Sequence, residues 1–435
     1  MKAHCLPFSQ IPHTTRLFAD FLAGAPEMRK FFPRGPAFAE WFKDETTKIR
    51  YEPARRERVS EILERQNRGW HAAPRTMQNI ARLRAGAAAV VTGQQVGFLG
   101  GPLFSLFKAL SAVKLADQAS AAGIPCVPIF WLATQDHDLD EVRRVQLPGS
   151  EASLEKFEAA TQGPADAPVA AVTLAAETEA ILNSAGQLLG ESEAAGLVRD
   201  CYRPGETLGN AFARLFAKLF ADWGVVLLDA SDAELNGIAA PIYQAAAERA
   251  AELDELLLAR GRELESAGYH QQVKVTSSST LLFTLRDGAR VPVQRAPDAT
   301  EFSIAGEKVS TAALLREIST APQHFSANVL LRPVVQDYLL PTLAYTGGSA
   351  EVAYFAQCGA VYPALLQRIT PIVPRFSATM VEPKPQALLE RYDLALTDLF
   401  HGPDSVRERL AAHALPKELQ SGFDSTEAGL THSFS

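Results

Sequence analysis

Residues 87–133 constrain the fold more than any other stretch of the chain. An apolar run at 87–92 stops in Gly93, Gln94 and Gln95, passes Gly97, Gly100, Gly101 and Pro102, and opens into an apolar helix expected over 102–122. Gly123 closes that helix, and a second apolar run, CVPIFWLA (126–133), follows. Two strands joined through a helix must lie parallel, and strands apolar on both sides belong to a sheet covered on both faces. The pattern predicts an α/β protein with a parallel sheet. The glycines allow close backbone approach, and a helix start carries partial positive charge, so the junction at 93–101 is a candidate site for phosphate or carboxylate. Gln94 and Gln95 add amide donors and acceptors that can read a polar substrate, with a merely solvated Gly-rich turn as the alternative. The loop matches neither G-x-x-x-x-G-K-[ST] nor G-x-G-x-x-G, because Lys108 lies inside the helix.

The 435 residues allow one elaborated domain or two to three modules. Lys and Arg number 42 against 50 Asp and Glu, a net charge of −8 with the basic residues scattered, which argues against nucleic acid as a partner. The N-terminus lacks a signal-peptide core and no apolar stretch is long enough to span a bilayer, so a cytoplasmic protein with no membrane partner is expected. Cys5, Cys126, Cys201 and Cys358 form no C-x-x-C pair, which argues against a zinc ribbon or dithiol site. For Cys358, core packing is favoured over a nucleophilic role.

Along the chain, residues 1–85 read as a helical region packing on the core and 86–147 as the first part of that core. Residues 148–200 read as a first insertion and 201–265 as core continuation, with VVLLD (225–229) a buried strand ending in Asp229. Residues 266–325 read as a second insertion carrying a β-hairpin turned at Asp287-Gly288. In the last part of the core, 326–384, the run 328–337 is expected to be a buried strand delivering Gln336 and Asp337 to the sheet edge. Gly347 and Gly348 then open a second helix with Glu351 in its first turn, and a final strand is expected near 369–374. Residues 385–435 read as helix interrupted by HGPDS (401–405).

The strand at 126–133 runs into TQDHDLDE, so Asp136, His137 and Asp138 leave the carboxyl edge of the sheet, where open α/β folds bind ligands. The cluster suits a general base or a weak Mg²⁺ site at Asp138. Asp140 and Glu141 are read as helix-capping residues instead. No dedicated zinc set is present. Tyr345, Gly347, Gly348 and the glycine loop are candidate substrate-binding residues, and Arg375, Lys384 and Lys108 candidate anion partners.

Taken together, TGQQVGFLGGPLFSLFKA (92–109), PIFWLATQDHDLDEV (128–142), NVLLRPVVQDYLLPTLAYTGGSAEVAYFAQ (328–357) and VPRFSATMVEP (373–383) resemble the bacillithiol biosynthesis cysteine-adding enzymes, a family of cysteine ligases. The order and wording match across about residues 1–420. The resemblance implies a Rossmann-like core with two connecting-peptide insertions and a cytoplasmic enzyme that joins the cysteine carboxyl group to the amine of glucosaminyl-malate. Such an amide needs an activated carboxyl, so ATP and Mg²⁺ are the implied co-substrates, through an acyl phosphate or adenylate. On these motifs His137 or Asp136 takes the amine proton, the glycines at 93–101 hold the anionic part, Gln94, Gln95 and Gln336 orient substrate, and Asp138 carries Mg²⁺. H-x-G-H and K-M-S-K-S are absent, which does not support adenylate chemistry by the usual class I synthetase route. The family continues into a dimerising coiled coil that contributes a nucleotide pocket. Only its beginning, about 385–435, is expected here, which bears on whether a homodimer forms. Nucleotidyl transfer to another sugar or acid and non-catalytic sugar-acid binding are the alternatives.

Overall fold

A computed structural model describes residues 3–149, 153–296 and 301–414. The apolar runs form a five-stranded sheet in the spatial order Ile372–Pro374, Thr342–Gly347, Ala88–Gln94, Cys126–Leu132, Val226–Asp229. All four pairings are parallel. The central strand, Ala88–Gln94, is followed in sequence by strands to one side and later by strands to the other. Strand order therefore reverses between Ala88–Gln94 and Thr342–Gly347, the position at which a doubly wound sheet opens a crevice beyond its carboxyl edge.

Burial explains why the strands lack alternation. Every residue of Cys126–Leu132 is buried, as is all of Ala88–Gly93. On one side Phe130 packs against Phe212 and Phe216, with ring centroids 6.2 and 5.0 Å away. A second cluster joins Phe38, Trp41 and Phe42 to Val90, Ala112 and Leu343. Removing one such ring typically costs about 3–5 kcal/mol, so these contacts hold the sheet edge in place. The first strand extends two residues beyond the apolar run, because Gly93 and Gln94 pair with Trp131 and Leu132. Gly93 and Gln94 are therefore strand residues, and the loop begins at Gln95.

The helix Phe104–Ala121 shows an unusual use of polarity. Its narrow polar face, Ser105, Lys108 and Ser111, is buried against the sheet end instead of facing water. A second sheet, antiparallel, has the order Glu307–Ser310, Glu301–Ile304, Ala289–Arg295, Ser279–Arg286, Phe325–Ala327. Asp287 and Gly288, both with positive φ, turn its central hairpin. A short antiparallel hairpin pairs Arg144–Pro148 with Leu154–Glu158.

One expectation fails. Residues 328–337 do not form a strand; Arg332–Leu339 is a helix, and the strand comes later, at Thr342–Gly347. Asn328 Oδ1 accepts from the amides of Leu330 and Leu331 at 3.0 Å each, and Pro333 occupies the first helical turn. Both are helix-start chemistry that outweighs a short apolar run of ambiguous period.

The chain divides into two compact units, Asp20–Ser377 and the paired ends Met1–Ala19 and Ala378–Ser435. In the second unit, helices Pro383–Arg391 and Pro403–Ala414 flank a 3-10 turn at Leu396–His401. The remainder of the coiled-coil segment expected over 385–435 lies outside the described residues. Among the described residues no helix is long and apolar enough to cross a membrane.

Candidate active site

The crevice at the strand-order reversal is built around a buried lysine. Lys108 Nζ donates to Gly93 O at 3.0 Å, Gln94 Oε1 at 2.6 Å and Glu351 Oε1 at 2.7 Å. An ammonium has three donors, so these bonds use all of them. Glu351 Oε1 also accepts from Tyr345 OH at 2.8 Å, and its Oε2 accepts from the Gly348 amide at 2.6 Å. The chain's own carboxylate thus occupies the start of the helix Ser349–Cys358. Burial presses the Lys108 ammonium below the usual lysine range, against the pull of Glu351.

Two further guanidinium groups line this end of the sheet. Arg332 donates to Tyr354 OH at 2.9 Å and Gln336 Oε1 at 3.0 Å and lies 5.1 Å from the Tyr345 ring centroid. Arg375 sits 5.4 Å from the Phe104 ring centroid, beside Gly348, and burial lowers its pKa against the pull of Glu351. The hydroxyls of Ser105 and Thr346 are buried and have no hydrogen-bond partner among the described residues.

Next to this crevice lies the second cluster. Asp136 Oδ2 accepts from Gln95 Nε2 at 2.8 Å, and Asp136 Oδ1 accepts from the His137 amide at 2.9 Å. The glycine turn and the D-H-D tripeptide therefore meet at one edge, as the register Gln94 opposite Leu132 requires. Arg290, from the antiparallel sheet, approaches His137 Nδ1 at 3.1 Å and Asp136 Oδ1 at 3.7 Å. The Asp136 and His137 side chains are each 36% exposed, whereas that of Lys108 is 5% exposed.

The loop glycines work differently from a phosphate cradle. The amides of Gly97, Gly100 and Gly101 donate to Gln95 O, Gly97 O and Phe98 O, so the loop's own carbonyls absorb them. A Cβ on Gly97 would lie 2.6 Å from Gly101 Cα; this crossing, and φ of +94° and +67° at Gly100 and Gly101, explain the glycines sterically.

Asp138 is exposed and caps the short helix Leu139–Val142 through Oδ1, which accepts from the Glu141 amide at 3.2 Å. Capping thus falls to Asp138, while Asp140 pairs with Arg143. Among the described residues no group of three or more His, Cys, Asp or Glu side chains is arranged to hold a metal. Gln336 is fully buried in its helix, and Asp337 lies at the opposite, amino edge of the sheet, where Tyr362 OH donates to it at 2.6 Å. Because Arg332–Leu339 runs antiparallel to the strand that follows, it presents Arg332, not Gln336 or Asp337, to the carboxyl edge. Cys358 is buried, and burial pushes its thiol pKa up, which opposes nucleophilic use. Lys384 belongs to the other unit, on the helix Pro383–Arg391.

Comparison with known proteins shows the family of the chain. The family described as "Bacillithiol biosynthesis BshC, N-terminal Rossmann-like domain" matches residues 1–376. The chain belongs to the bacillithiol biosynthesis BshC family. A protein of Koribacter versatilis named "Putative cysteine ligase BshC" is 49% identical over 97% of this chain and 79% of its own length. Proteins of the same name from Solibacter usitatus and Salinibacter ruber are 38% and 32% identical, over 98% and 97% of this chain and 79% and 78% of theirs.

Within this BshC-family chain, sequence reasoning missed two residues of the site. Arg332 was obscured by the helix read as a strand; Asn328 and Pro333 were the signal that would have placed it. Arg290 had no local signal, since its partner His137 lies 153 residues away in sequence.

Proposed function

We propose that this protein catalyses amide-bond formation between the carboxyl group of cysteine and the amine of glucosaminyl-malate, yielding bacillithiol. One observation carries the reading: Gln95 holds the Asp136 carboxylate at 2.8 Å beside the crevice of the strand-order reversal, with His137 half-exposed next to it. A carboxylate and an imidazole at one accessible edge supply proton transfer to an attacking amine, a role typically worth about 10²–10⁴-fold in rate. The guanidinium groups of Arg332 and Arg375, beside the Tyr345 and Phe104 rings, favour anionic substrate groups.

ATP, when bound, supplies the energy to activate the cysteine carboxyl group. The donor chemistry fits a nucleotide arriving with Mg²⁺ on its phosphates, since that ion usually keeps several waters and takes only one or two protein carboxylates. The orphaned hydroxyls of Ser105 and Thr346 and the two arginines are the polar groups suited to phosphate or carboxylate oxygens. What the chain's own residues contribute is orientation by Gln94 and Gln95, charge compensation by Arg332 and Arg375, and removal of the amine proton at Asp136 or His137.

Incubation of the purified protein with cysteine, glucosaminyl-malate, ATP and Mg²⁺ is expected to give bacillithiol by mass spectrometry, with ADP or AMP identifying the activated species. Absence of product from folded protein would overturn the reading. Pyrophosphate release without cysteine would point to nucleotidyl transfer instead.

A further inference from the structure

We infer that Arg290 is a positioning residue that fixes His137 in the Nε2–H tautomer, making it a hydrogen-bond donor and leaving Asp136 as the proton acceptor. The Arg290 side chain is 8% exposed and held on three sides by the antiparallel sheet. Its guanidinium lies 3.8 Å from the Phe283 ring centroid, Nε donates to Ser326 Oγ at 3.0 Å, and Nη2 donates to Ala327 O at 3.0 Å. These anchors aim Nη1 at His137 Nδ1, 3.1 Å away.

A guanidinium has donors only, so this contact is a hydrogen bond only when Nδ1 is the acceptor. The ring proton of the neutral imidazole then sits on Nε2. The competing partner for Nδ1 is Asp136 Oδ1 at 3.6 Å, which would draw a proton to Nδ1, but a protonated Nδ1 would face the Arg290 N–H directly. Arg290 is closer, and its position is set by three other contacts, so it decides the tautomer. Phe283, with its centroid 6.1 Å from the imidazole, closes another side of the ring.

The consequence for the reaction rests on the cysteine-ligase reading. With Nε2 already protonated and Nδ1 engaged, His137 cannot take the amine proton in this arrangement. The attacking amine loses its proton to the Asp136 carboxylate as the C–N bond forms, and the activating group derived from ATP leaves with the electron pair of the broken C–O bond. Meanwhile His137 Nε2–H donates to the acyl oxygen as negative charge builds there. The antiparallel sheet is then part of the catalytic apparatus, because it supplies the residue that chooses the imidazole's role.

The test is nitrogen NMR of the full chain labelled with ¹⁵N-histidine, with His137 assigned among the nine histidines by its loss in His137→Gln. At neutral pH the wild type is expected to show an unprotonated, hydrogen-bonded Nδ1 and a protonated Nε2. A protonated Nδ1 would overturn the inference without any variant. In Arg290→Met the Asp136 carboxylate becomes the sole partner of Nδ1, and the proton is expected to shift toward Nδ1; an unchanged tautomer in that folded variant would also overturn it. Arg290→Lys, which keeps a cationic donor, is expected to retain the Nε2–H form, and serves as the folded control if the methionine variant does not fold. Turnover in Arg290→Met is expected to fall about 10²-fold with KM changed far less. The NMR readout needs no substrate: the expected tautomer in a chain that makes no bacillithiol would sink the ligase reading alone, while the wrong tautomer in an active chain would sink only the role of Arg290.

Discussion

The two halves of the carboxyl edge differ in how they treat charge. At the strand-order reversal, Lys108 and Glu351 are almost fully enclosed, and every ammonium donor is already satisfied. One strand over, Asp136 and His137 are half-exposed and share their partners with solvent. A buried pair with complete hydrogen bonding fixes geometry but has little left to offer a substrate. A half-exposed pair held by Gln95, Arg290 and the His137 amide stays open to solvent. Enclosed framework and open edge are thus neighbours, separated by burial more than by residue type.

The sharpest way to break this comparison is Lys108→Met. It leaves Glu351 buried without its cation, and removal of one partner from such a pair costs about 3–5 kcal/mol. Urea denaturation is expected to show the loss, and adding Glu351→Gln to recover much of it. A loss near zero would remove the distinction between the two halves. Asp136→Asn should do the opposite, lowering bacillithiol formation by about 10²-fold or more while the unfolding midpoint reports a cost of only about 1 kcal/mol. Equal damage to stability would make Asp136 a framework residue.

Smaller effects refine the picture. Gln95→Ala removes one hydrogen bond from Asp136, and steady-state kinetics should show a loss of about tenfold, the equivalent of about 1.4 kcal/mol. The amino edge offers a pH test. Burial raises the Asp337 carboxyl pKa above its ordinary value, so the folded protein holds that proton more tightly than the unfolded chain. Its stabilising contribution is fully present below the unfolded pKa and is lost as pH rises through the folded one. Thermal unfolding of Asp337→Asn between pH 4 and 7 should therefore improve relative to wild type as pH rises, by on the order of 1 kcal/mol. The smallest effect is expected for Asp138→Ala, which removes an exposed cap from a four-residue helix and should cost about 0.5 kcal/mol in the same melts.

Much of the fold was legible because burial on both faces leaves a strong mark. The runs at 87–92 and 126–133, the glycine-opened helix between them and the Asp287-Gly288 turn all occur where the residues predict. The run at 328–337 misled, since an apolar stretch of that length fits a strand or a buried helix equally well. In the site, local order placed Asp136 and His137 at the edge but could not say that Gln95 would hold the one and Arg290 the other. The glycines were legible as glycines, yet their reason proved to be the Gly97–Gly101 crossing, with their amides turned inward.

By itself the sequence determined a parallel α/β core, the carboxyl edge as the place where polar residues gather, and a resemblance to the BshC family through four motifs taken in order. Only the tertiary structure decided which charges are enclosed and which stay open to solvent. Hydrophobic periodicity is a local property written every two or four residues, whereas the partners of Lys108 and His137 lie 243 and 153 residues away and are brought near only by the crossing of strands and sheets.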